Sequence, residues 1–76
     1  MIATIRKVVY DTDDATLIHK HAEGELGDPK GFEETLYRNP NNRYFVYRAG
    51  GPESPYPEPT IEALPQRSVN IWIRLH

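Results

Sequence analysis

The sequence predicts an α+β fold, a small antiparallel β-sheet of about four strands with a central hairpin and one packed helix. Three observations predict it. Residues 32–48, FEETLYRNPNNRYFVYR, set two runs rich in β-branched and aromatic residues around Asn39-Pro40-Asn41-Asn42. Asn tolerates positive φ and Pro presets one turn dihedral, so this is the pattern of an antiparallel hairpin. Further short β-branched runs precede and follow it, and the C-terminal piece carries apolar residues at a spacing that a helix can use.

Residues 2–10, IATIRKVVY, have the β-branched content of one strand. Asp11-Thr12-Asp13-Asp14 reads as a turn, because short Asx side chains satisfy local backbone donors. Residues 15–22, ATLIHKHA, read as a second strand with Leu17, His19 and His21 on one face, or as a short helix capped by Asp13 or Asp14. Residues 23–31 hold three glycines and a proline and form an acidic loop. The hairpin arms are expected at 32–38 and 43–49, stopped by Gly50-Gly51-Pro52. Pro52, Pro55, Pro57 and Pro59 make 50–59 an irregular connection, since proline cannot donate to a ladder. Residues 61–64 suit a short edge strand.

The segment 65–76 stays open between helix and strand. Val69, Ile71, Ile73 and Leu75 alternate with Asn70, Trp72, Arg74 and His76, as in a strand. Pro65 at a first turn, with Val69, Trp72 and Ile73 at helical spacing, favours a helix, but the β-branched residues tip the purely local pattern toward strand. The expected core is Ile5, Val8, Leu17, Leu36, Phe45, Val46, Ile61, Leu64 and Trp72.

Seventy-six residues make one domain, 1–76, with a limited core. Without cysteine there is no disulfide framework, zinc–thiolate site or thiol nucleophile. No apolar run reaches the roughly 18–20 residues of a membrane span. The N-terminal residues lack the apolar core of a secretory signal, so a cytoplasmic location is expected. Net charge is −2, but residues 11–34 carry eight carboxylates against two lysines, whereas the remainder has three acids against seven bases. Such segregation points to an electrostatic partner.

The order YDTxxAxLI (Tyr10 to Ile18), EETLYR (Glu33 to Arg38), YFxY (Tyr44 to Tyr47) and GGP (Gly50 to Pro52) resembles a family of small uncharacterised proteins. These are encoded on bacteriophages and other mobile elements of bacteria. The likeness covers residues 8–64 and brings no catalytic motif. It implies a bacterial host cytoplasm, and it is compatible with an anti-CRISPR protein. Family members continue with an acidic helix containing a tryptophan; Trp72 falls there, but Gln66, Arg67 and apolar residues replace the acids.

Several groups of residues are candidates for chemistry. His19 and His21 form an H-x-H pair that with Asp11 or Glu23 offers ligands to a transition metal, but a metal site needs its third or fourth ligand fixed by a rigid scaffold, and the pair reads rather as two half-exposed strand residues; no metal or cofactor is expected. Glu33 and Glu34, adjacent on a strand, point to opposite faces and cannot share a substrate. There is no nucleophile elbow or phosphate loop, so the protein is not expected to be an enzyme. Pro52-Glu53-Ser54-Pro55 reads as a spacer. The leading expectation is a non-enzymatic inhibitor whose Asp11, Asp13, Asp14, Glu23, Glu25 and Asp28 meet a basic groove on a host protein or ribonucleoprotein effector complex and block nucleic-acid binding. Two alternatives stand beside it. Arg38, Arg43, Tyr44 and Arg48 can form a single-stranded nucleic-acid face, although the acidic total argues against direct binding. A structural homodimer can form through the hairpin edge or the apolar C-terminus.

Overall fold

The hairpin is built as its turn residues dictate. In a computed structural model, which describes residues 1–24 and 27–76, the Asn39 side-chain Oδ1 accepts from the Asn41 N–H at 3.0 Å and the Arg43 N–H at 2.8 Å. Asn42 takes the left-handed conformation at φ 61°. Asn39 is buried, so its side chain supplies partners that solvent cannot. Strands β4 (Phe32–Arg38) and β5 (Tyr44–Gly50) leave this turn in a register that pairs Arg38 with Tyr44, Leu36 with Val46 and Glu34 with Arg48.

Two further strands flank the hairpin. β3 (Thr16–Glu23) pairs with β4, and β6 (Thr60–Leu64) pairs with β5, giving an antiparallel sheet in the order β3-β4-β5-β6. The hairpin strands are therefore the two central ones, and the hairpin has no exposed edge to offer a second copy. Among the described residues the open edges are β3 and β6. At its far end the sheet is closed by backbone contacts that side chains would obstruct. Gly51 donates to the Gly31 carbonyl at 2.9 Å and Glu53 to the Pro29 carbonyl at 2.8 Å. A Cβ on Gly51 would lie 2.7 Å from the Pro29 carbonyl carbon.

The expected single strand over 2–10 is instead a second hairpin, β1 (Ile2–Ile5) and β2 (Val8–Asp11), forming a two-stranded sheet of its own. Arg6 and Lys7 turn the chain at φ 51° and 66°. Such a two-residue loop wants two positive φ values, which Asn and Gly usually supply. After β2, Thr12–Asp14 forms one 3₁₀ turn, with the Asp11 Oδ1 accepting from the Asp13 N–H at 3.0 Å.

The register of β3 corrects the expected alternation. A bulge between Leu17 and His19 leaves Leu17 opposite Tyr37 and His19 opposite Leu36. The extra residue, Ile18, switches the phase, so Leu17 does not share a face with His19 and His21. Leu17, expected in the core, is 52% exposed.

Both faces of the sheet are covered in part. On one, a 3₁₀ turn (Gln66–Ser68) leads into α1 (Val69–Leu75), and Val69 and Trp72 bury against Leu36 and Val46, with Tyr44, Leu64 and Ile73 around them. The helical spacing decides the C-terminus. A strand would have grouped Ile71 and Leu75 with Val69, yet they are 57% and 73% exposed. On the other face Tyr10 of β2 packs on Phe45 with ring centroids 5.2 Å apart, and Tyr37 stacks on Phe45 at 5.3 Å. Leu36, Phe45, Val46 and Trp72 are buried as expected, Ile5, Val8, Ile61 and Leu64 are half-buried, and Tyr10 and Val69 join the core.

Candidate functional site

The carboxylates that are contiguous in sequence are divided in space by β3. Asp11, Asp13 and Asp14 sit just before the strand begins, whereas Glu23 ends it and Asp28 follows in the next loop. Eight residues of strand place the two sets roughly 23 Å apart along the sheet edge. Glu25 lies outside the described residues.

Each set is held locally rather than neutralised. Asp11 caps the 3₁₀ turn, and Asp13 and Asp14 are exposed on it. Asp28 Oδ1 accepts from the Lys30 N–H at 2.9 Å. Glu23 Oε1 lies 3.3 Å from His21 Nε2. Among the described residues none of these five carboxylates forms an ion pair with a lysine or arginine. The remaining acids of the acidic half behave differently. Glu33 pairs with Lys20 at 3.0 Å, and the buried Glu34 receives Arg48 Nε at 3.1 Å, with His76 Nε2 at 3.4 Å.

Between the two acidic sets, β3 presents an unpaired backbone edge. Its inner side is laddered to β4, and among the described residues its outer side has no strand partner. Leu17 and the bulged Ile18 are exposed at its start. His21 Nδ1 contacts the His76 backbone oxygen at 3.1 Å, and His19 meets Trp72 edge-on with centroids 6.0 Å apart. Both imidazoles thus belong to the packing of α1. Among the described residues the buried His19 Nε2 and Trp72 Nε1 have no hydrogen-bond partner, and no group of three or more metal-ligating side chains occurs.

The four residues of the alternative face are not equivalent. Arg38 and Arg43 are exposed at the hairpin turn. Tyr44 instead packs against the helix-side core. The Arg48 side chain, 15% exposed, is shared between Glu34 and Glu62, the latter at 2.9 Å, and lies over the Tyr56 ring at 5.6 Å. Burial opposes its charge, but hydrogen bonds and Coulombic attraction from the two carboxylates prevail and raise its pKa. Arms at 32–38 and 43–49 would set Glu34 opposite Tyr47; the observed register keeps Arg43 in the loop and sets Glu34 opposite Arg48, so the sequence does not disclose this ion-paired chain. Neither the protein-family models, the curated proteins nor the solved structures contain a match to the chain. Among the described residues no helix is long and apolar enough to cross a membrane.

Proposed function

We propose that the protein is a non-enzymatic, stoichiometric inhibitor of the anti-CRISPR kind, encoded by a phage or mobile element and acting in the bacterial cytoplasm. It binds a basic groove of a host effector complex and keeps nucleic acid out. The observation that carries this reading is the pair of carboxylate sets at the two ends of β3, none of them matched by a lysine or arginine among the described residues. Unpaired surface charge of one sign accelerates encounter with an oppositely charged groove and penalises the wrong partner. The motif order of residues 8–64 supports a mobile-element origin. The acids of β4 support binding over catalysis, since Glu33 and Glu34 face opposite sides of the sheet, each engaged by its own cation.

The test is capture of a ribonucleoprotein from bacterial lysate by the tagged protein, followed by a gel-shift measurement of the captured complex on its nucleic acid. Lysine at Asp13, Asp14, Glu23 and Asp28 together is expected to abolish capture while leaving the circular-dichroism spectrum intact. Unchanged capture by that variant would remove the acidic surface as the contact. A second reading, single-stranded nucleic-acid binding, is favoured only by Arg38 and Arg43, exposed and without carboxylate partners among the described residues. Salt-sensitive retention on a single-stranded oligonucleotide column, lost in R38A/R43A, would establish it instead.

A further inference from the structure

We infer that the free edge of β3 takes up an extended segment of the partner as a fifth strand, with lysine or arginine at both ends of that segment. The inference rests on the reading above and specifies how the contact is made. An unpaired edge carries backbone donors and acceptors that template another strand, and proteins usually blunt it with short length, proline, lysine or a bulge. β3 is the longest strand in the molecule, at eight residues, and contains no proline. Its one lysine, Lys20, is drawn back to Glu33 on β4. The bulge interrupts only the start, leaving His19 to Glu23 in continuous register with β4. This stretch is regular enough to pair on its outer side as well.

Charge selects the occupant. Two copies of β3 meeting about a two-fold axis would run antiparallel. That places Asp13 and Asp14 of one copy against Glu23 and Asp28 of the other, like charge on like charge at both ends. A strand with cations at both ends meets opposite charge in either direction. Main-chain bonds then supply affinity, and the flanking carboxylates supply selectivity.

The probe is a synthetic peptide, acetyl-Lys-Lys-Thr-Val-Thr-Val-Thr-Val-Thr-Lys-Lys-amide, compared with a copy N-methylated at every central residue. The methylated copy keeps the charge but has no central N–H to donate from either of its edges. ¹⁵N spectra of the full chain are expected to show the unmodified peptide shifting the amides of residues 19–23 and slowing exchange at those that point away from β4. The methylated copy is expected to bind at least roughly tenfold more weakly, a difference of about 1.4 kcal/mol. Equal binding of both peptides would overturn strand addition and leave recognition by charge alone. Binding of neither would overturn it too, and the charge-reversal capture experiment would then decide the earlier reading by itself.

Discussion

The two edges of the four-stranded sheet are finished in opposite ways. β6 is five residues long, with Pro59 immediately before it and Pro65 immediately after. Proline has no N–H to offer and cannot extend a ladder, so this edge is blunted at both ends. β3 is longer, free of proline and bracketed by carboxylates. The interior ties differ in the same sense. From β4 to β6 runs a partly buried chain, Glu34 to Arg48 to Glu62, whereas β3 is tied to β4 by Lys20 and Glu33, whose side chains are 50% and 41% exposed. One edge is shut by backbone chemistry. The other is left open, with charge deciding what approaches it.

The comparison can be broken most completely from the core that carries both edges. Phe45→Ala removes a fully buried ring that joins Tyr37 to Tyr10. A loss of about 3–5 kcal/mol is expected in urea denaturation, enough to leave a domain of this size largely unfolded. Glu34→Gln breaks the chain that runs to β6, and it also alters the contact with His76. It leaves the Arg48 guanidinium with a single carboxylate and should cost about 2 kcal/mol by the same measurement. Asn39→Ala strips the buried acceptor from two turn N–H groups and should cost about 1–2 kcal/mol, seen as a lower thermal midpoint. Lys20→Ala sharpens the contrast by touching the β3 tie alone. Because that pair is exposed, its loss should change stability by less than about 0.5 kcal/mol. A cost for Lys20→Ala equal to that for Glu34→Gln would mean that the two edges are secured alike.

Elements whose chemistry is local could be read from the sequence, and those set by tertiary pairing could not. The β4–β5 hairpin was legible because Asn39, Pro40 and Asn42 each have a stated job in the turn. The short edge strand near 61–64 and the proline-rich connection were legible for the same reason. The turn at Arg6-Lys7 was hidden, since neither residue advertises a positive φ. The bulge at Ile18 was hidden too, because β-branched residues read the same whichever face they take. That one residue misplaced Leu17 in the core. The acidic residues look like one surface in sequence, and only the length of β3 separates them. Arg48 looked free for a ligand because Glu62 reaches it from a strand fourteen residues further on.

Trp72 is the only tryptophan in the chain, and it lies in α1, stacked on His76 with ring centroids 4.1 Å apart and 6% exposed. Its emission therefore reports on the contact between α1 and the sheet. Release of the helix would move that emission to longer wavelength while the far-ultraviolet signal of the sheet persists. A titration followed by both signals would thus separate detachment of α1 from unfolding of the strands, with no added dye or label.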